Sequence, residues 1–364
     1  MEIKAAVIFE KSGTFQLERL TLDECRDTEV VVRIRGVGIC HTDLAGRDQH
    51  VPVPLPSVFG HEGAGVVEAV GKRVTKVKPG DHVALSWCCC GSCPSCKSGN
   101  DPYCERFLML NFGGSRPDGS TTLKKGAQVI HGNFFGQSSF AEVVLADEGN
   151  VVKVPADIPL DILGPLGCGI QTGAGAVMNS LRPKPGSSIA VFGVGPVGMS
   201  AVMAARVCGC ATIIAVDMHE ERLEKAVEFG ATHTINAARV DPVEAILDIT
   251  CGGPNFSLEC VGNPAVLRQA VDCLPLLGVC GLLGVVAPGT EVTLDMDKIM
   301  NGRTVRGVIE GDAVPDLFIP RLIALYRQGR FPFDRLITFY SFDDINQAVA
   351  DMEAGKVIKP VLRF

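Results

Sequence analysis

The sequence predicts an α/β chain of two domains, a β-rich first half and a doubly wound parallel sheet in the second. Three observations carry this. The length of 364 residues exceeds what one hydrophobic core comfortably holds. Residues 1 to about 155 read as short strands broken by turn residues. From about residue 185, apolar runs alternate with amphipathic stretches, the pattern of a sheet with helices on both faces.

In the first half, Val30–Val37, Gly65–Val70 and Val83–Leu85 are strand-like, with Pro52, Pro54, Pro56 and Pro79 marking turns between and around them. In the second half six strands are expected: Ser188–Gly193, Thr212–Asp217, His233–Asn236, Phe256–Cys260, Val279–Val285 and Thr304–Ile309. They read as continuous apolar runs because a parallel sheet is buried on both faces. Helices are expected over Glu220–Phe229 and Pro242–Thr250. The tail changes texture again, with helices over Leu317–Gln328 and Asp343–Glu353 and a closing strand over Val357–Phe364. It reads as rejoining the first domain. The expected boundaries are 1–169, containing a cysteine lobe at 90–104, then 170–309, then 310–364.

Hydrophobic residues at 46% and charged residues at 21% are an ordinary globular balance. The net charge of -7 argues against nucleic acid as a partner, since phosphate binding favours a basic face. The opening MEIKAAVIFE has no basic leader before a long apolar run, and apolar runs are broken well short of a membrane span. A cytoplasmic protein, free of membrane, is expected. Of fifteen cysteines, six fall between Cys88 and Cys104. In a leaderless chain of this length such clustering points to metal rather than disulfides.

Cys90, Cys93, Cys96 and Cys104 form C-x2-C-x2-C-x7-C, four thiolates able to wrap one tetrahedral zinc. A closed sulfur shell leaves no position for substrate, so this site is expected to be structural. An iron–sulfur cluster is the other reading of such spacing. Cys88 and Cys89 are additional thiols, and the x2 spacings make the other four the best fit. Elsewhere Gly193, Gly195 and Gly198 form G-x-G-x-x-G with Pro196 and Val197 between them. The run follows a strand and opens a helix-compatible stretch, the context of a dinucleotide pyrophosphate turn. Asp217, at the end of the next strand, suits the ribose 2′-OH and repels a 2′-phosphate, which favours NAD over NADP.

Three further segments place a Cys or His among glycines: GICHTD at 38–43, GHEG at 60–63 and GCG at 167–169. Cys40, His61 and Cys168 together make a Cys2His site with one open position. Spacing alone does not group them, because they lie far apart in the chain.

The stretch GHEGAGVVEAVG at 60–71, the cysteine lobe, the GVGPVG turn and the closing GKVIKPVLRF together resemble the zinc-containing medium-chain dehydrogenase/reductase family from end to end. Within it, CGIQTGAGAVMN at 168–179 is most similar to the aryl (benzyl) alcohol dehydrogenases. The resemblance implies a GroES-like β domain joined to a Rossmann domain. It implies two zinc ions per chain, NAD, and oxidation of an alcohol to an aldehyde, the alcohol being a primary, benzyl-type one. It assigns Cys40, His61 and Cys168 to the catalytic zinc, with Glu62 as a transient ligand and Asp43 orienting His61. Thr42 would bond the substrate oxygen, Thr172 would lie near the nicotinamide, and Arg222 near the adenosine ribose. Val285 and Lys359 would also touch the cofactor. His41 and Lys359 stand where many members carry Arg, and Ala45 stands where some carry a proton-relaying His. A homodimer is implied, paired through the strand near Thr304–Ile309. Two competing readings are a glutathione-dependent formaldehyde dehydrogenase, for which Arg106 or Arg116 would anchor a carboxylate, and a non-catalytic NAD- and zinc-binding protein.

Overall fold

The computed structural model describes residues 1–364 and divides into two units. One comprises Met1–Cys168, Val314–Pro320 and Asp334–Phe364, and the other Gly169–Ala313 and Arg321–Phe333. The expectation that 310–364 rejoins the first unit in one piece is therefore corrected. Residues 321–333 stay with the second unit, where Leu322, Ile323, Phe331 and Phe333 are buried and Arg330 donates to the Val207 carbonyl at 3.3 Å.

The first unit holds two β-sheets. Its larger sheet centres on Glu29–Gly38, which pairs antiparallel with Glu62–Val70 and with Val143–Asp147. The C-terminal strand Lys359–Arg363 joins the same strand, Val361 opposite Gly38. The core between and around the sheets gathers Val30, Val32, Ile34, Phe59, Phe134 and Phe140. Val30, Val31 and Val32 are all buried, as suits a β-branched run in a strand paired on both edges and covered on both faces.

The second unit carries a six-stranded parallel sheet. Its spatial order is His233–Asn236, Thr212–Asp217, Ser188–Phe192, Phe256–Glu259, Val279–Leu282, Thr304–Gly307. In chain order that is third, second, first, fourth, fifth, sixth, the order of a dinucleotide-binding fold. Four predicted strands stop one to three residues earlier than expected: Ser188–Phe192, Phe256–Glu259, Val279–Leu282 and Thr304–Gly307. Pairing with the neighbouring strand, not hydrophobicity, sets those ends. The predicted helices Glu220–Phe229 and Pro242–Thr250 form as expected, the second capped by Asp241, whose side chain accepts from Val243 and Glu244 N–H. No helix is long and apolar enough to cross a membrane.

Candidate active site and dinucleotide turn

Strand register assembles the first constellation. Gly38 pairs with Glu62, so Cys40, two residues past one strand, meets His61, which immediately precedes the other. Pairing of Val361 with Gly38 brings Lys359 to the same end. Cys168 follows the short turn Gly164–Gly167, and Ser86 Oγ donates to the Gly167 carbonyl at 2.7 Å to hold that turn in place. The result is one cluster: the ligand atoms of Cys40, His61, Glu62 and Cys168 all lie within 4.8 Å of one another.

Asp43 is the joint of the site. It sits in the first turn of the helix His41–Arg47 and is fully buried. One oxygen accepts the Cys40 N–H at 2.9 Å; the other accepts the Gly60 N–H at 3.0 Å and lies 2.7 Å from His61 Nδ1. The carboxylate thus fixes both ligand segments and aims the imidazole. His61 Nε2 is buried and has no hydrogen-bond partner, pointing among the two thiols. A buried nitrogen left so is costly unless something binds it. Burial disfavours charge on His61, but Asp43 and Cys40 outweigh it and raise the imidazole well above its ordinary value. The neighbouring Cys168, and then His61, hold the Cys40 thiol well below the ordinary range against burial. The pocket calls for a positive charge at its centre, and a zinc ion suits two sulfurs and one nitrogen. Thr42 Oγ1 lies 3.7 Å from Cys40 Sγ, beside that centre.

Lys359 has a different duty from the one expected. It is 1% exposed, and its ammonium donates to the Ile39 carbonyl at 3.1 Å and to both Glu62 oxygens at 2.9 and 2.8 Å. Its three donors are all engaged, so none remains for a cofactor phosphate. Burial pushes the Glu62 carboxyl up to about 7, with Lys359 pulling the other way. Burial also opposes the Lys359 charge, but Glu62 prevails and keeps the ammonium above the ordinary lysine value.

Gln137 was missed in the sequence. Its buried amide donates to the His61 carbonyl at 2.9 Å and the Ser86 carbonyl at 3.1 Å, and accepts from Gly63 N–H at 3.1 Å. It ties the His61 segment to the Ser86 turn. Its only signal was a polar QSS run at 137–139, one residue past the apolar pair Phe134–Phe135. Those rings back the imidazole: Phe135 stacks on His61 at 4.4 Å between centroids, Phe134 meets it edge-on at 5.6 Å, and Phe107 and Phe112 pack against Phe135. Trp87 packs on Phe107, whereas Met109 is half exposed and Leu110 lies on the lobe sulfurs.

The lobe brings Cys90, Cys93, Cys96 and Cys104 within 4.8 Å of one another. Zinc–sulfur bonds of about 2.3 Å give a tetrahedron with edges near about 3.8 Å. The Sγ–Sγ distances of 3.5 Å for Cys93–Cys96 and 4.0 Å for Cys90–Cys96 bracket that edge. Backbone N–H groups of Cys93 and Ser92 point at Cys90 Sγ, and those of Cys90 and Arg106 at Cys104 Sγ, at 3.3 to 3.5 Å. The sulfurs therefore fit one metal ion, with the backbone offsetting their charge.

In the second unit, Gly193 has φ +83, a turn open to glycine, and a side chain at Gly198 would strike the Gly193 carbonyl. A side chain on Gly195 would meet nothing within 4 Å, so this side of the turn is open to an approaching anion. Pro196 and Val197 open the helix Pro196–Val207, whose N-cap Gly195 has no side chain to occupy the free N–H groups. Asp217 Oδ2 accepts the Val194 N–H at 2.9 Å and stands 4.0 Å from Arg222 Nη1. Thr172 Oγ1 lies 3.3 Å from Glu310 Oε2, Val285 is 59% exposed beyond its strand, and His41 is exposed. Arg116 is buried against Glu29 and Asp23 and cannot anchor a ligand carboxylate.

Comparison with known proteins matches residues 26–156 to the alcohol dehydrogenase GroES-like domain and residues 196–326 to the zinc-binding dehydrogenase family. The chain is 46% identical to geraniol dehydrogenase of Castellaniella defragrans, over 99% of this chain and 97% of that one. The chain belongs to the zinc-containing medium-chain alcohol dehydrogenase family. Among solved structures, this dehydrogenase resembles benzyl alcohol dehydrogenase from Acinetobacter calcoaceticus, with a TM-score of 0.97, 48% identity, and coverage of 100% of this chain and 99% of that one. A zinc-binding alcohol dehydrogenase domain protein from Burkholderia ambifaria gives a TM-score of 0.98 and 52% identity, with coverage of 100% and 99%.

Proposed function

We propose that this dehydrogenase oxidises a primary benzyl-type alcohol to its aldehyde, with NAD as hydride acceptor and two zinc ions per chain. The observation that carries the reading is the buried cluster of Cys40, His61, Glu62 and Cys168 with the Thr42 hydroxyl at its edge. A zinc held by Cys40, His61 and Cys168 would supply Lewis acidity that brings an alcohol's pKa toward neutrality. Thr42 takes the hydroxyl proton. Asp43 keeps the imidazole Nε2 facing the centre, and Lys359 compensates the charge of Glu62, leaving the pocket able to hold a cation and an ionised substrate together. The second zinc is the lobe's, with Cys90, Cys93, Cys96 and Cys104 closing its shell.

Asp217 beside the Gly193–Gly198 turn supports NAD. The ring cluster behind His61 and the likeness to benzyl alcohol dehydrogenase support an aromatic substrate. The likeness to geraniol dehydrogenase supports a second reading, an allylic alcohol. Both place a π system next to the carbon that loses hydride. A two-fold dimer is supported by the edge strand Thr304–Gly307, and in the same unit Leu276, Leu277, Met296 and Met300 are each more than two-thirds exposed. The test is NADH formation from benzyl alcohol, geraniol and ethanol at equal concentration and saturating NAD. A faster rate with benzyl alcohol is expected. A faster rate with geraniol selects the allylic reading, and one with ethanol discards both.

A further inference from the structure

Cys89 lies outside both ligand sets, yet it is exposed, and its Sγ is within 4.8 Å of Cys96 Sγ and of a carboxylate oxygen of Asp101. It shares that closeness with Cys96 alone among the lobe ligands, since the four-sulfur group and the Cys89–Cys96–Asp101 group are separate sets. Cys89 is an exposed thiol next to Cys96 and outside the four-sulfur group.

We propose that Cys89 and Cys96 form a peroxide-sensitive switch that releases the lobe zinc, an inference that rests on the structural-zinc reading above. The Cys89 thiol reacts with hydrogen peroxide to give the sulfenic acid and water, as the O–O bond breaks and sulfur is oxidised. The Cys96 sulfur then attacks the Cys89 sulfur and expels hydroxide, forming the disulfide. Overall, one thiol, one metal-held thiolate and one peroxide give one disulfide, one water and one hydroxide. The metal is left with three sulfurs and loses its closed shell. The sulfurs must approach from within 4.8 Å to bonding distance, about 2 Å. The connecting loop has room for this: Gly91 has φ +62, and a side chain there would meet nothing within 4 Å. Cys88 is not a partner in the switch, because it is half-buried, with its Sγ turned to the Phe135 carbonyl at 3.9 Å.

The test uses the zinc-loaded protein, with zinc per chain counted first. Hydrogen peroxide is then added in the presence of a chromogenic zinc chelator, free thiols are alkylated, and tandem mass spectrometry locates the protected cysteines. Expected are loss of one zinc per chain, protection of Cys89 and Cys96, and recovery of zinc binding after dithiothreitol and added zinc. In C89S the release slows by at least about tenfold. Release at an unchanged rate in C89S, or protection confined to Cys90, Cys93, Cys96 and Cys104, overturns the switch. A starting count of two zinc ions with either result leaves the structural-zinc reading standing. A starting count of one overturns both.

Discussion

Two sulfur-bearing sites in the same unit are built by opposite means. The lobe collects its four cysteines from fifteen consecutive residues, 90–104, and needs little beyond its own loop, whose N–H groups point at the sulfurs. The other site draws on residues 40, 61, 62, 168 and 359, and exists only because three strands pair in one register. The lobe's sulfurs are balanced by backbone dipoles. The long-range site is balanced by side chains buried together, the Asp43 carboxylate hydrogen-bonded to His61 and the Lys359 ammonium on Glu62. A closed local shell stabilises. An open shell with charges held at a distance keeps a position available for chemistry.

The sharpest way to break this comparison is to remove one ligand from the long-range site. H61A is expected to lose one zinc per chain and at least about a thousand-fold in alcohol oxidation, because both the metal and its Lewis acidity go. The lobe's zinc should stay. Metal analysis beside NADH formation checks this, and loss of both ions would show that the sites are not independent.

Next in size is the buried charge pair. K359M leaves Glu62 buried without its cation and is expected to cost about 3–5 kcal/mol in denaturant unfolding. The double variant E62Q/K359M should recover most of that loss, since no unpaired charge remains. A single variant as stable as the parent would mean that Glu62 takes a proton in the folded state at little cost. C104S then tests the lobe. It should lose one zinc and about 2–4 kcal/mol, comparable to opening a cross-linked loop, while activity per remaining catalytic zinc is retained at low temperature.

The same contrast explains what was legible. The lobe could be read by spacing, because its ligands are close in sequence. The parallel sheet could be read because burial on both faces leaves unbroken apolar runs such as SIAVF and TIIAVD. Cys40, His61 and Cys168 were grouped only through resemblance, since register between distant strands leaves no local signature. Lys359 was misassigned for the same reason. Nothing near it in sequence announces Glu62, whose carboxylate takes two of its three donors, the third going to the Ile39 carbonyl, once Val361 pairs with Gly38. Gln137 was hidden because a buried amide serving three backbone groups looks in sequence like any polar loop residue. The split of the tail at Pro320 and Arg321 was equally invisible, as the helix Pro315–Arg327 runs through it.

The smallest effect tests whether the second unit is, like the lobe, a locally encoded device. Asp217 has two tasks that one substitution confounds. Its Oδ2 accepts the Val194 N–H and so steadies the glycine turn, and its Oδ1 accepts the Met218 and His219 N–H groups at 2.8 and 3.0 Å. Its charge is what favours a ribose hydroxyl and repels a 2′-phosphate. D217S removes both acceptor and charge, so affinity for NAD and NADP should fall together through a loosened turn, while the NAD preference also narrows. D217N removes the charge and keeps one oxygen acceptor, so the Oδ2 bond to Val194 or the Oδ1 bonds to Met218 and His219 survive but not both. A charge-assisted hydrogen bond contributes about 1.5–3 kcal/mol, so D217N should narrow the NAD-to-NADP ratio of kcat/KM by about 10- to 100-fold. An unchanged ratio in D217N beside weakened binding in D217S would make Asp217 a brace for the turn and move cofactor choice to another residue.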